Sequence, residues 1–225
     1  MIFCTLCDYM EEFFHYPDDV IFHGDDSQGF TFLQARTLND DNEKLRKLQI
    51  RLERYYLNGF KRSRHDFNIS VMSCIGLEVL GQVMLGFDDK GKTVADKTLQ
   101  VYKWLDPILE QQTSAVFRTN YNLKRNYPNP AGIDFAQGLL TYADIFRKGL
   151  RNSFSHTYRS LGVFLDDSLT ELVKVDEHEG LLVINGRMLK MALLREYREK
   201  FKSAINNTEP EHRQNALRYF ELLIR

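Results

Sequence analysis

Cysteine is scarce in this sequence, with only Cys4, Cys7 and Cys74 in a chain of 225 residues. A small, odd number of cysteines argues against a framework of disulfides. Cys4 and Cys7 form a C-x-x-C motif with His15 and His23 downstream, but no second cysteine pair follows and the histidine spacing fits no zinc-finger pattern. We therefore expect no metal site, and we interpret these cysteines as small apolar residues in a buried N-terminal segment.

Long hydrophobic runs are absent as well. No apolar stretch approaches the roughly 20 residues needed to cross a bilayer, and the N-terminal MIFCTLCDYMEEFF lacks the basic start and clean apolar core of a secretory signal. The motifs of phosphate-binding loops, serine hydrolases, zinc proteases and dinucleotide-binding folds are also missing. A content of 43% hydrophobic and 27% charged residues is ordinary for a soluble globular protein. We expect a cytoplasmic protein without a cofactor.

The net charge is only −1, but the charges are unevenly distributed. Residues 1–43 carry ten acids against one base, whereas residues 44–65 carry eight bases against one acid. Residues 111–133 and 145–165 contain bases and no acid. These three basic stretches predict a surface for a polyanion if the fold brings them together. The alternative, that they are solvated faces or pair with the acidic N-terminal segment, stays open.

Apolar residues recur at helical spacing through most of the chain. The spacing predicts helices over about 41–60, 67–86, 93–118, 131–161, 187–206 and 209–224. Pro107 should kink or split the third helix. Pro130 and Gly162 suit the start and the end of the fourth. Alternation over 169–185 predicts a β-hairpin with His178 solvated at its tip.

These elements predict a mainly α protein, a helical bundle of about six helices with a small β-hairpin late in the chain. Residues 1–40 are expected to form an irregular N-terminal extension, with short strands or a loop and one helical turn, packed on the bundle. The helical domain is expected to span 41–225, including the hairpin at 169–185 and the C-terminal helices.

The fourth helix carries an unusual polar cluster, RNSFSHTY, at 151–158. If Leu150 faces the core, an ideal helix of about 100° per residue places Arg151, Asn152 and His156 on the arc that faces away from it. Core packing therefore does not account for these three residues. Arg151 and His156 are about 140° apart on a straight helix. Either the helix is distorted there, or a second copy supplies the missing half of a site.

The chemistry of these side chains suits RNA. Arginine binds phosphate as a fixed charge and donor fork, and histidine moves protons near neutral pH. Together they fit attack of an RNA 2′-hydroxyl on its own phosphate, with His156 as general acid or base and Arg151 against the developing charge. Asn152 could hold the histidine or a phosphate, and no metal is needed. An ordinary solvated helix face is the alternative interpretation.

The pattern Arg151-Asn152-x-x-x-His156, late in a long bundle helix, resembles the R-x(4–6)-H signature of the HEPN superfamily (higher eukaryotes and prokaryotes nucleotide-binding domains). The resemblance covers the motif, its helix and the all-helical layout of about 41–161. It implies a metal-independent endoribonuclease whose site is composite across a homodimer, in phage defence, stress response or a toxin–antitoxin system. The alternative function is a non-catalytic HEPN-like module that binds RNA, nucleotide or a partner protein.

Further residues extend this interpretation. Tyr158 gives R-x4-H-x-Y, which is similar to HEPN toxins whose tyrosine is nucleotidylated. The resemblance thus implies modification of Tyr158 and, as a partner, a nucleotidyltransferase antitoxin or another regulatory protein. Arg147, Lys148 and Arg159 flank the motif and are predicted to bind RNA. Glu78, a lone acid among apolar neighbours on the second helix, either faces Arg151 or His156 or is a paired core residue.

Overall fold

The structure is a computed structural model that describes residues 20–23, 29–53, 66–87, 91–124, 140–152 and 162–224. This part of the chain is mainly helical, as predicted, with a small late sheet. Its α-helices are α1 Phe32–Thr37, α2 Asp41–Leu52, α3 Asp66–Leu85, α4 Gly91–Leu105, α5 Ala115–Lys124, α6 Tyr142–Phe146, α7 Gly186–Ile205 and α8 Pro210–Leu223. Its strands are β1 Val20–His23, β2 Gly29–Thr31, β3 Val163–Leu165, β4 Val173–Asp176 and β5 Leu181–Ile184.

Helix α3 is the centre of the bundle, because α4, α7 and α8 all pack against it. Leu77, Leu80 and Val83 on this helix are completely buried. Within α3, residues 68–85 are long and apolar enough to cross a membrane by length and composition, the one such stretch among the described residues. This differs from the expectation that no run would approach that length. More than half of the stretch is buried inside the protein, as expected for a core helix.

The third predicted helix is split, as Pro107 indicated. Helix α4 ends at Leu105, and the Asp106 carboxylate accepts a hydrogen bond from the Ile108 N–H at 2.9 Å. A 3₁₀ turn, Pro107–Glu110, follows. Helix α5 then begins after Ser114, whose hydroxyl accepts from the Phe117 N–H at 3.0 Å. Its end lies beyond the predicted limit at 118.

The prediction of a continuous helix over 131–161 is wrong at Thr141, where the described part of this segment is extended. Residues 131–139 and 153–161 lie outside the described residues. The backbone of Thr141 is extended, with φ −94° and ψ 166°, and pairs with Gln112. The Asp144 carboxylate accepts from the Thr141 N–H at 2.8 Å and so starts α6 at Tyr142. A π-helix, Arg147–Asn152, follows α6 directly.

The predicted hairpin is confirmed, since β4 and β5 pair antiparallel. Strand β3, which was not predicted, pairs parallel with β5 and completes a sheet of order β3-β5-β4. Leu182 and Ile184 are completely buried. The sheet therefore contributes its own apolar side chains to the core next to the bundle.

Short strands and one short helix also occur within residues 1–40, as predicted. Strands β1 and β2 pair antiparallel, and α1 follows them. Ala35 is completely buried, and the Arg36 guanidinium donates from Nε to the Ile224 carbonyl at 2.9 Å. These contacts tie α1 to the end of α8. The division into an extension and a domain stays a prediction.

Candidate functional site

The helical segment that leads into the polar motif changes from α- to π-helix at Arg147. Helix α6 ends at Phe146, and the π-helix runs from Arg147 to Asn152 with hydrogen bonds of the i→i+5 type. Leu150 is completely buried, as the predicted core face requires. One of the two alternatives is therefore observed: the helix is distorted where the motif begins. Single π turns inside helices are frequent at functional sites.

The side chains that were predicted to be catalytic lie outside the part of the chain that the structure describes. His156, Tyr158 and Arg159 lie outside that part of the chain. For Arg151 and Asn152 the structure describes the backbone, as the last two residues of the π-helix. The assignment of a catalytic arginine, histidine and asparagine thus stays a prediction.

Arg147, predicted as a contact to RNA, points a different way. Its Nε is buried, and it has no hydrogen-bond partner among the described residues. Its positive charge acts on the hydroxyl of Tyr102, a side chain that is completely buried. Arg147 as a whole is half-buried, and its Nε lies inside the protein. Lys148, its neighbour, is half-buried and already interacts within the chain.

Tyr102 lies at the centre of a buried polar cluster beside the π-helix. Cys74 and Glu78, one turn apart on α3, act on its hydroxyl together with Arg147. Burial raises the pKa of Tyr102 well above its ordinary value, and charge on Cys74 and Glu78 raises it further, whereas the Arg147 charge lowers it. The ring of Phe146 lies 4.9 Å from that of Tyr102, centroid to centroid. Glu78 is half-buried, its Oε1 is buried, and it shares this cluster with Arg147. The alternative that it faces Arg151 or His156 concerns side chains outside the described part of the chain.

Sequence reasoning missed Tyr102 and Cys74 as members of this cluster. The apolar spacing of α4 predicts a core position for Tyr102, but spacing says nothing about the charges around its hydroxyl. Glu78 was the one sign of this cluster that we noted in the sequence, because a lone acid on an apolar helix needs polar or charged groups around it.

The basic stretches are in part committed to contacts within the chain. Lys44 forms an ion pair with Glu221 at 2.8 Å and lies 3.9 Å from Asp41. Arg118 donates to the Thr113 carbonyl at 2.6 Å. Both side chains thus bind groups of their own chain, and through Asp41 Lys44 also lies near the acidic N-terminal segment. The proposed RNA surface does not rest on these two positions.

The described residues contain no group of three or more His, Cys, Asp or Glu side chains that could hold a metal ion. Cys4, Cys7 and His15 lie outside those residues. Cys74 is a buried thiol beside Tyr102. Its position agrees with a small apolar role in the core.

Comparison with protein-family models, with curated proteins and with solved structures finds no match. Membership of the HEPN superfamily therefore stays a prediction from the sequence motif. A functional proposal for this chain must be argued from that motif and from the described geometry next to it.

Proposed function

We propose that this chain is a HEPN-like, metal-independent endoribonuclease of the cytoplasm that acts as a homodimer in defence, stress response or a toxin–antitoxin system. The observation that carries the proposal is the change from α- to π-helix at Arg147, four residues before Arg151. The motif begins inside this distorted turn.

The proposed reaction uses the RNA's own 2′-hydroxyl. One His156 takes the 2′-hydroxyl proton, the 2′-oxygen bonds to phosphorus, and the bond from phosphorus to the 5′-oxygen breaks. A second imidazole delivers a proton to the leaving 5′-oxygen. Arg151 stabilises the charge on the phosphoryl oxygens, and Asn152 holds the histidine or a phosphate. The products are a 2′,3′-cyclic phosphate and a 5′-hydroxyl.

The two proton transfers support a dimer. One proton leaves the 2′-oxygen and another reaches the 5′-oxygen. These two oxygens lie on opposite sides of phosphorus in an in-line displacement, so an imidazole held on one side serves one of them. One copy of the motif supplies a single histidine, His156. Two copies related by a two-fold axis supply both imidazoles and two arginines in one cleft.

The test is cleavage of purified total RNA or tRNA in EDTA, with the RNA ends analysed for cyclic phosphate. Wild-type protein should cut, and His156→Ala or Arg151→Ala should lower the rate by about 10²–10⁴-fold. Matched controls are His178→Ala and Arg195→Ala, since these side chains are 89% and 60% exposed on the surface. Both controls should cut at the wild-type rate.

The outcomes separate the candidate functions. Cutting that survives both motif changes contradicts the assignment. RNA that is retained but not cut by wild-type protein indicates the non-catalytic binding module instead. A monomer at micromolar concentration in light scattering contradicts the composite site.

The regulatory part of the proposal concerns Tyr158. A nucleotidyltransferase encoded beside this chain should modify wild-type protein and stop RNA cleavage, because a nucleotidyl group adds bulk and negative charge next to the site. Tyr158→Phe should still cut and should resist silencing. Mass spectrometry of the intact protein reports the modification directly, and a variant that is still modified excludes Tyr158 as its site.

A further inference from the structure

We propose that Arg147 is a positioning residue, which sets the π turn of the motif helix from inside the bundle and does not contact RNA. The effect that we expect on catalysis rests on the proposed function, because the π turn that Arg147 would hold ends in Arg151 and Asn152. Two observations on the described residues carry the proposal: where Arg147 stands in the helix, and what surrounds its side chain.

The π-helix begins at Arg147 itself. A π turn is rare and needs support from the surrounding structure. Phe146, the residue before it, and Leu150, three residues after it, are both completely buried. The Nε of Arg147, which stands between these two residues in the sequence, is buried as well. Phe146, Arg147 and Leu150 therefore place buried atoms in the core within five residues, and these contacts fix the backbone where the π-helix starts.

The surroundings of Arg147 hold a charge of opposite sign. Helix α3 packs against the π-helix, and Glu78 of α3 acts on the same Tyr102 hydroxyl as Arg147 does. A guanidinium inside a protein is retained where compensating groups meet it. Arg147 thus lies where the start of the π-helix packs against α3, the helix at the centre of the bundle.

Loss of this anchor would change the direction of the motif. A turn that returns from i→i+5 to i→i+4 hydrogen bonds removes one residue from the turn. Each residue of an α-helix accounts for about 100° of rotation. The side chains that follow would turn by up to about that angle relative to the core, and a catalytic group misplaced by even about 1 Å loses much of its rate.

The kinetic experiment compares Arg147→Met, Arg147→Lys and the exposed control Arg195→Met in RNA cleavage. Arg147→Met should lower kcat by at least about tenfold with KM within about twofold, because the phosphate contacts are untouched. Arg147→Lys should recover part of the rate, since it keeps a buried positive charge. Arg195→Met should behave as wild type. A raised KM with unchanged kcat, and a salt slope reduced by about 1, would mean a phosphate contact and overturn the proposal.

A structural experiment separates this proposal from the proposed function. In crystal structures, wild-type protein should keep i→i+5 hydrogen bonds over residues 147–152, and Arg147→Met should show i→i+4 bonds there. A π-helix that survives in the variant overturns the positioning role, whether or not the wild type cuts RNA. Failure of the wild type to cut contradicts only the ribonuclease. If Arg147→Met does not fold, Glu78→Gln with Arg147→Met removes both charges and gives the same readout.

Discussion

The aromatic rings of Tyr102 and Phe146 lie with their centroids 4.9 Å apart and their planes inclined by 52°. Both side chains are completely buried, so the contact holds α4 against the last residue of α6. Arg147 follows directly, and the π-helix begins there. Core packing thus fixes Phe146, the residue directly before the backbone changes from α- to π-helical hydrogen bonds.

Truncation of this ring should therefore be costly. Phe146→Ala is expected to lower the free energy of unfolding by about 3–5 kcal/mol, because it leaves a cavity against Tyr102. Urea denaturation measures the change. Phe164→Ala is the matched control, since that side chain is 57% exposed on β3 and its loss should cost no more than about 0.5 kcal/mol. Equal costs for the two variants would contradict the packing.

Glu78 and Arg147 should be energetically coupled. Each single change, Glu78→Gln or Arg147→Met, leaves the opposite, half-buried charge less compensated, whereas the double change removes both. The double variant should therefore lose less stability than the sum of the singles, with an interaction free energy of about 0.5–3 kcal/mol. Chemical denaturation of all four proteins measures it. Glu78→Gln combined with Arg195→Met should be additive; additivity in the first pair would contradict the coupling.

The sequence predicted the long elements well, because apolar spacing records which face of a helix is buried. The second helix, expected at 67–86, is α3 at Asp66–Leu85, and the last two helices agree as closely. The break at Thr141 was missed since its cause is tertiary: Thr141 pairs with Gln112 from a distant segment. Strand β3 was missed because its three residues are too few to show an alternating pattern, and its pairing with β5 is again a tertiary contact.

The candidate site was predictable in composition but not in geometry. The motif stands in the sequence, whereas a shift to i→i+5 hydrogen bonds leaves no mark in apolar spacing. Arg147 lies only about 60° from Leu150 on an α-helix, so spacing alone allowed an inward position. Its charge nevertheless favoured a surface role, and the compensating Glu78 comes from a helix far away in the sequence.

The contact between α5 and the sheet depends on a glycine. Gly180 has φ +58°, and a Cβ there would lie 2.3 Å from the backbone nitrogen of Tyr121. Gly180→Ala should lower the free energy of unfolding by about 2–5 kcal/mol, because left-handed strain adds to a clash that backbone atoms cannot relieve. Gly81→Ala is the control: its Cβ would meet a Val101 methyl at 3.2 Å, and the gain in helix propensity offsets the crowding. Thermal or urea unfolding compares the two, and a Gly180→Ala variant as stable as Gly81→Ala would contradict the close approach.

Stability should fall on mild acidification because of His212. Its ring lies 5.8 Å from that of Trp104, and its Nδ1 contacts the Glu209 carboxylate. Burial lowers the pKa of His212, as does the Lys200 charge, while Glu209 and Glu211 partly oppose the shift. The folded state then binds this proton less readily than the unfolded chain does. The stabilising contribution of neutral His212 is complete above pH ~6.5, the pKa of histidine in the unfolded chain. It is lost as the pH falls through the lowered pKa of the folded state.

His212→Gln should remove this part of the pH dependence. Between about pH 7 and pH 5 the wild type should lose free energy of unfolding, and the variant should lose less, because it has no imidazole to protonate in the core. Urea denaturation at a series of pH values measures both slopes. His178→Gln is the matched control for loss of a histidine from the exposed surface, since its side chain is 89% exposed, and it is compared with the wild-type slope. If His212→Gln keeps that slope too, protonation of His212 does not limit stability, and the acid sensitivity belongs to other groups of the chain.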